Sequence, residues 1–369
     1  MREMQFTAIV LMSLLTLKLL LLPSKAVVSP VTRRAWWMMT VGIALVGVQF
    51  VLQYIFNLRA MGVTQAVMLN LALFIPASWI LSLSLICLQR RRTITRRNYL
   101  VGLLTWLTAL CLMAFASITD GKPLLAGSET MRRAEIAASV VYVAMMAYYL
   151  WCHFKNIRYL IHALKNYYDE DADDLLQWMR FIALILPVLG LMVPVMIFAN
   201  GQGLFYFGLL MFCFIFFLVD SFCNYVVSTT PAKVREAEEH EDEEEAAQEE
   251  DPHANQYSPM HRVEQTVSQW VADGKYLRSG LKLPTVADEL GVPRYLLTAW
   301  LRSKGLKYAD WMTDLRIEEA IRILNKHQGW SNEYISQHCG FTDRTYFQRK
   351  FKEKTGLSPT DYQTQQTSL

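Results

Sequence analysis

The chain has 369 residues, of which 53% are hydrophobic and 19% are charged, and its formal net charge is +3. Charge is unevenly distributed: residues 1–231 contain 18 Lys and Arg against 10 Asp and Glu, residues 232–255 contain 2 against 11, and residues 256–369 contain 16 against 12. This pattern excludes a single soluble globular domain, and six cysteines in so long a chain exclude a small secreted disulfide-rich scaffold.

Seven apolar segments occupy the first part of the chain. A helix needs about 20 apolar residues to cross a bilayer core of about 30 Å, and each segment reaches or approaches that length. Aromatic residues lie at several segment ends, where membrane proteins place amphipathic rings. The sequence therefore predicts a seven-helix transmembrane bundle over residues 1–231, with spans at 6–22, 36–56, 63–88, 99–118, 134–151, 181–199 and 204–227.

The loops between these spans predict the orientation of the bundle. With the N-terminus outside, the inner loops hold 14 Lys and Arg and the outer loops hold 5. Because cytoplasmic loops carry an excess of basic residues, the N-terminus is predicted outside and the C-terminus inside, in a bacterial cytoplasmic membrane. Residues 24–26 resemble a signal-peptide cleavage site, but Lys18 interrupts the apolar run and cleavage would leave both ends outside, so an uncleaved first helix is predicted.

Two charged residues, Lys18 and Asp220, fall within the first and last spans. One interpretation is an ion pair that joins the two helices and takes part in signalling. The other is that Lys18 snorkels to the inner interface while Asp220 reaches headgroups or a hydroxyl group. Because both residues lie near a span boundary, the second interpretation is preferred.

The sixth span contains Pro187 and Pro194 with Gly190 between them. Proline frees backbone carbonyl groups in a membrane helix, so this span is the candidate wall of a ligand site, although a plain kink is the commoner outcome. After the fifth span, apolar residues at helical spacing predict that the helix continues into the cytoplasm as far as an acidic run at 169–174. That run lacks the glycine and the final glutamate of a calcium loop, so an acidic turn is predicted.

Residues 232–256 form an acidic linker between the two parts of the chain. A block of like charges is typical of a solvated, self-repelling spacer, which is the preferred interpretation. The alternative is an acidic decoy that covers a basic DNA-facing surface until a signal releases it.

Two segments in residues 257–369 share one pattern. In each, a short helix ends at a glycine, Gly291 or Gly340, and a second helix with an apolar face and a polar face follows. Thr342 and Asp343 are the candidate N-caps of the second such helix. Helix, glycine turn and helix is the helix-turn-helix pattern, in which the second helix enters the major groove of DNA.

Three strings around these segments carry a family resemblance. Residues 314–324 read Asp-Leu-Arg-Ile-Glu-Glu-Ala-Ile-Arg-Ile-Leu, residues 339–352 read Cys-Gly-Phe-Thr-Asp-Arg-Thr-Tyr-Phe-Gln-Arg-Lys-Phe-Lys, and residues 356–362 read Gly-Leu-Ser-Pro-Thr-Asp-Tyr. With the order of elements, they resemble the AraC-type DNA-binding domain over about residues 261–365. The resemblance implies a cytoplasmic all-α domain with two helix-turn-helix units bridged by one helix, over residues 257–369.

The resemblance also implies which side chains face double-stranded DNA. Arginine and glutamine suit base edges, whereas lysine suits phosphates, which position a protein without specifying sequence. Lys354 is also expected to contact a DNA phosphate, in addition to the residues expected to form the interface. Those residues are Arg294, Tyr295 and Thr298 in the first unit and Arg344, Thr345, Gln348, Arg349, Lys350 and Lys352 in the second.

The chain departs from the family pattern in two places. Ala299 and Trp300 stand where the family often has an arginine and an apolar residue, and Gln363 follows the final tyrosine where an arginine is frequent. The family's usual partner is a soluble effector domain rather than a membrane domain. The family's small-molecule effectors are therefore not expected for this chain, and the first unit is expected to read bases less than the second.

Together these features predict a membrane-embedded, one-component DNA-binding transcription factor, controlled by an unknown membrane or extracytoplasmic ligand. Membrane lipid is an expected partner, homodimerisation is a hypothesis, and no cofactor, metal or catalytic site is expected. The chain has no G-x-S-x-G, H-E-x-x-H, P-loop or G-x-G-x-x-G string, which argues against an enzyme. The remaining alternative is a transporter or channel with a regulatory helical tail, which a row of intramembrane charges would favour.

Overall fold

The computed structural model of the chain divides into two compact units. The N-terminal unit comprises Met1–Arg158 and Gln177–Ala232, and the C-terminal unit comprises Tyr159–Leu176 and Lys233–Leu369. Every named element in the described residues is a helix. Those residues are 2–23, 29–58, 63–89, 95–123, 126–169, 176–185, 190, 202–228, 231–233, 235–237, 239, 257–326 and 330–367.

The N-terminal unit is built from long helices. They are α1 (Arg2–Leu20), α2 (Pro30–Ile55), α3 (Val63–Gln89), α4 (Arg96–Asp120), α5 (Glu129–Tyr167, which continues into the C-terminal unit) and α6 (Gln202–Val227). Among the described residues, six helices are long and apolar enough to cross a membrane by length and composition. Residues 177–185, at the start of the predicted sixth span, are also helical. Most of that span, including Pro187 and Pro194, lies outside the described residues.

Local sequence signals account for several helix ends. Ser29 caps α2, accepting a hydrogen bond from the backbone N–H of Val31, and Pro30 occupies the first helical position, where its missing N–H costs nothing. Gly121 ends α4 in the left-handed conformation at φ 58°. Helix α5 runs on past the predicted span to Tyr167, as the spacing of its apolar residues predicted.

Burial in the N-terminal unit is greatest along α3, which packs against α2 and α4. Polar side chains pair in the interior of this unit, between α2 and α3. The side-chain amide nitrogen atoms of Gln49 and Gln53 donate hydrogen bonds to Oδ1 of Asn70 at 2.7 and 2.5 Å. By contrast, large apolar side chains on α1, α2, α4 and α6 are exposed, such as Leu14, Leu104 and Phe216.

Lys18 and Asp220 form an ion pair between α1 and α6, with Nζ and Oδ1 2.5 Å apart. The carboxylate also accepts a hydrogen bond from Asn224, one turn along α6. The preferred expectation, in which Lys18 turns away to the interface, is therefore wrong, and the ion-pair interpretation is confirmed. Whether the pair takes part in signalling stays a prediction.

The C-terminal unit contains shorter helices. They are α7 (Tyr257–Ala272), a 3₁₀ turn (Lys275–Leu277), α8 (Leu283–Leu290), α9 (Arg294–Ser303), α10 (Tyr308–Lys326), α11 (Asn332–His338), α12 (Arg344–Thr355) and α13 (Pro359–Thr367). Two apolar clusters form its interior. The first unites α7, α8 and α9 with the start of α10, and the second unites the rest of α10 with α11 and α12.

Tryptophan packing anchors α7 and α9 to the start of α10. Trp311 stacks on Trp270 with ring centroids 5.9 Å apart and meets Trp300 edge-on at 5.7 Å. Since aromatic pairs in these arrangements add stability beyond their buried area, they hold α9 firmly against the bridging helix α10. The polar face of α9 is thereby left on the surface.

Candidate DNA-binding surface

The first helix-turn-helix is formed by α8 and α9. Helix α8 ends at Gly291, whose φ of 64° is the left-handed conformation that closes a helix, and its N–H bonds back to the carbonyl oxygens of Ala287 and Asp288. Pro293 then leads into α9 as its N-cap residue. Leu297 and Leu301 face the interior, which confirms the predicted apolar face of this helix.

The outer face of α9 carries two of the three residues expected at DNA. Arg294 and Tyr295 are exposed at its N-terminal end. Thr298, one turn further on, is only 5% exposed. The expectation that Thr298 faces DNA therefore does not match this conformation, because a buried hydroxyl group cannot reach a groove. Its position beside Leu297 in the sequence puts it at the edge of the apolar face.

The second helix-turn-helix is formed by α11 and α12. Ser331 caps α11, accepting a hydrogen bond from the N–H of Tyr334 at 3.2 Å. The turn passes through Gly340 at φ 81°. Of the two N-cap candidates of α12, Asp343 is the one used: its Oδ1 accepts from the N–H groups of Thr345 and Tyr346. The positive N-terminal end of the helix dipole also stabilises the negative charge of this carboxylate.

Helix α12 has an apolar inner face and a basic outer face. Phe347 and Phe351 are fully buried in the second cluster. Arg344, Thr345 and Arg349 are exposed and Gln348 is partly exposed, so this helix brings these four residues, all predicted to face DNA, into one exposed stretch.

The predicted phosphate-contacting lysines of α12 differ in their surroundings. Lys352 is exposed. Lys350 is partly buried and its Nζ lies 2.9 Å from the carboxylate of Glu353. Lys354 pairs with Asp314 of α10 at 2.7 Å. A phosphate would compete with Glu353 and Asp314 for these two ammonium groups, whereas Lys352 projects from the surface.

Tyr346 packs at the edge of the second apolar cluster and supports the exposed face of α12. It is partly buried, and its hydroxyl oxygen lies 2.9 Å from that of Thr313 on α10. The guanidinium of Arg349 lies over the Tyr346 ring, 5.5 Å from its centroid. This cation–π contact holds Arg349 along the helix surface.

Burial and pairing shift the pKa values of several groups in the domain, among them Cys339 and Glu289. Burial raises the pKa of the Cys339 thiol, in the second turn, to about 12, so the thiol stays protonated and unreactive at neutral pH. The hydrogen bond from Arg278, reinforced by one from Trp270, holds the pKa of the Glu289 carboxyl below its usual value. In the described part of the chain, no cluster of three or more His, Cys, Asp or Glu side chains could hold a metal ion.

Arg316 is a buried, hydrogen-bonded arginine of this domain that the pattern of the sequence did not reveal. It lies in the middle of α10 on its apolar side, is 2% exposed, and donates to the carbonyl oxygens of Tyr276 at 3.0 Å and Arg278 at 2.5 Å. The one signal in the sequence was its spacing: Arg316 lies four residues from both Met312 and Ala320, which are fully buried, so it falls on the same helix face as they do. Its role depends on partners that lie far away in the chain.

Comparison with known proteins finds relatives of this part of the chain. Residues 286–365 match the family model described as "Helix-turn-helix domain". The HTH-type transcriptional regulator GadX of Escherichia coli (strain K12) is 31% identical over 81 residues, which are 22% of this chain and 29% of that protein. The Uncharacterized HTH-type transcriptional regulator YpdC of the same strain is 28% identical over 98 residues, 26% of this chain and 33% of that protein.

A crystal structure of a DNA-binding transcriptional dual regulator from Escherichia coli K-12 is 24% identical; the match covers 31% of this chain and 98% of that chain, with a TM-score of 0.26. The chain spans about a third or less of the length of the curated relatives it matches. The family match and the curated relatives show that the C-terminal part of the chain contains a helix-turn-helix domain similar to those of transcriptional regulators.

Proposed function

We propose that the chain is a membrane-embedded, one-component transcription regulator whose C-terminal domain binds specific double-stranded DNA. The observation that carries this proposal is the exposed outer face of α12, which presents Arg344, Gln348 and Arg349 together at a capped helix N-terminus within a helix-turn-helix domain. Sequence relatives named as HTH-type transcriptional regulators support it.

In this proposal the two helix-turn-helix motifs contribute unequally. Arg344 and Arg349 would donate to guanine O6 and N7, and Gln348 would pair with adenine N6 and N7. Lys352, with Lys350 once freed from Glu353, would bind phosphates. In the first motif only Arg294 and Tyr295 are exposed at the N-terminal end of α9, so its base readout would be weaker. The two helices would enter major-groove segments about one helical turn of DNA apart.

The N-terminal unit would lie in the cytoplasmic membrane, with the N-terminus outside and the DNA-binding domain inside. Six apolar helices of sufficient length among the described residues, with large exposed apolar side chains on several of them, support contact with lipid. The excess of basic residues in the predicted inner loops supports the orientation. This unit would sense a membrane or extracytoplasmic ligand, and a homodimer would allow paired DNA sites to be read.

The transporter or channel alternative has one observation in its favour. Glu135, near the start of α5, is 1% exposed and adds a buried carboxylate to the charged pair Lys18 and Asp220. Buried carboxylates are typical of ion and proton pathways. A helix-turn-helix domain with an exposed basic recognition helix is better explained by DNA binding.

The test is selection of random duplex DNA by the full-length chain in lipid nanodiscs. Two half-motifs about one helical turn apart should be enriched, and Arg349→Ala should abolish the preference at one position of a half-motif. Lys326→Ala removes an equal charge from the exposed end of α10 and serves as the matched control, with the preference retained. Salt-sensitive binding without any enriched motif would refute sequence-specific regulation and favour a membrane protein with a basic tail.

A further inference from the structure

Asp169, just after the C-terminal end of α5, is held by contacts inside the C-terminal unit. This residue lies two positions after the end of the helix and its side chain is 1% exposed. Its Oδ2 accepts hydrogen bonds from Nη2 of Arg316 at 2.6 Å and from the backbone N–H of Leu281 at 2.9 Å. The neighbouring residue Tyr168 forms an antiparallel β-bridge with Lys282. Asp169 is therefore held by both backbone and side-chain contacts.

Arg316, its partner, lies at the junction of the two helix-turn-helix motifs. The residues of α10 before it pack into the first apolar cluster, and those after it pack into the second. Its guanidinium binds the carbonyl oxygens of Tyr276 and Arg278, which precede the first motif, and lies 5.9 Å from the ring centroid of Phe341 in the second. One side chain thus contacts elements on both sides of the junction.

A second set of contacts holds the same segment from outside. Glu236 accepts a hydrogen bond from Nζ of Lys282 at 2.6 Å and one from the hydroxyl group of Tyr168 at 2.9 Å. The Lys282 ammonium lies 5.6 Å from the centroid of the Tyr168 ring. The start of the acidic linker and the end of α5 therefore meet at Lys282. Glu236 pairs here and not with the residues predicted to face DNA.

A buried guanidinium needs a counter-charge. Two carbonyl oxygens satisfy part of the Arg316 hydrogen-bonding capacity, but Asp169 is the carboxylate that neutralises it in the described structure. Removing one member of a buried ion pair leaves the other charged and unpaired, which is strongly unfavourable. Withdrawal of Asp169 would therefore disturb Arg316 and, with it, the packing between the two motifs.

We infer that Asp169 is a positioning residue that sets the orientation of the two helix-turn-helix motifs relative to each other, and so links the position of α5 to the reading of paired half-sites on DNA. The inference rests on the proposed function. Asp169 lies outside the matched residues 286–365, so this link belongs to the chain and not to the matched domain. A ligand that shifts α5 would act on DNA binding by moving a single buried carboxylate.

The experiment compares two DNA duplexes bound by the full-length chain in nanodiscs: the selected site with both half-motifs, and the same duplex with one half-motif scrambled. Asp169→Asn keeps the size of the side chain but removes its charge. We expect affinity for the two-motif duplex to fall about tenfold, as is common for coupled sites, while affinity for the single-motif duplex stays within about twofold. Glu264→Gln, which removes the carboxylate of the exposed Lys304 pair in the same unit, is the matched control and should change neither affinity.

Selective loss on the two-motif duplex supports a positioning role. Unchanged affinities, or an equal loss on both duplexes, overturn it, because a merely structural residue would weaken both motifs together. Thermal unfolding of each variant is recorded in parallel. If Asp169→Asn fails to fold, Glu236→Gln decides the question, since it loosens the same segment without exposing a buried charge: a selective loss of about twofold to threefold supports the inference, and no selectivity refutes it. A wild-type chain that selects no motif would refute the proposed function itself.

Discussion

A β-carbon placed on Gly340 would lie 2.4 Å from the carbonyl oxygen of Leu277. The turn of the second helix-turn-helix therefore packs directly on the backbone that precedes the first, at the place where Arg316 also binds. The equivalent glycine of the first motif, Gly291, has no such neighbour within 4 Å. The two turns look alike in sequence, but only the second is part of the junction.

This difference predicts unequal effects of the same substitution. Gly291→Ala should cost about 1 kcal/mol, because alanine is strained at positive φ but meets open space. Gly340→Ala adds a clash with backbone and should cost about 3 kcal/mol or more. Chemical unfolding of the full-length chain, followed by tryptophan fluorescence, measures both. Equal destabilisation by the two substitutions would contradict the close approach at Gly340.

Glu289 should make the stability of the C-terminal unit depend on pH. Its pKa is lowered in the folded state by the hydrogen bond from Arg278, so its contribution is present above the unfolded pKa of about 4.5 and is lost as pH falls through the folded value. Glu289→Gln should reduce stability at neutral pH by up to about 1 kcal/mol and flatten the decline in acid. Unfolding curves between pH 3 and 7 measure this, and Glu264→Gln, which alters an exposed pair, provides the comparison. If the stability of Glu289→Gln falls with decreasing pH as steeply as that of the wild type, Glu289 is not the source of the acid sensitivity.

The ion pair between Lys18 and Asp220 predicts rescue by exchange. Lys18→Asp or Asp220→Lys alone replaces the ion pair with two like charges at the contact between α1 and α6 and should lower the amount of folded protein in the membrane. The double exchange restores opposite charges between α1 and α6 and should recover most of that loss. Thermal unfolding in detergent and membrane abundance measure the effect. An additive loss in the double variant would show that the two residues act independently.

The proposed orientation in the membrane predicts which positions are accessible from each side. In a variant lacking the native cysteines, Lys122→Cys, in the loop after α4, should react with a membrane-impermeant maleimide in cells whose outer membrane has been permeabilised. Lys326→Cys, at the end of α10, should react only after the cytoplasmic membrane is opened. Both positions are in the described residues and Lys326 is exposed. Labelling of Lys326→Cys in cells with an intact cytoplasmic membrane would place the DNA-binding domain on the wrong side for gene regulation.

Features that depend on neighbouring residues could be predicted from the sequence. Hydropathy located the long apolar helices, because burial in an apolar medium requires a continuous run of apolar residues. The turns at Gly291 and Gly340 and the cap at Asp343 were predictable because positive φ and helix capping are decided within a few residues. The exposed face of α12 followed from the periodicity of Phe347 and Phe351.

Features that depend on distant residues were decided by the tertiary structure. Asp169 reads as one acid in an acidic run, yet it pairs with Arg316, 147 positions away, because both residues are packed together inside the C-terminal unit. Lys18 and Asp220 are 202 positions apart, and the packing of α1 against α6 decides that they meet. The sequence alone determined that the chain has apolar helices and two helix-turn-helix motifs, since local periodicity and turn residues dictate both. Only packing decided which charges are buried together, because that depends on which faces meet in three dimensions.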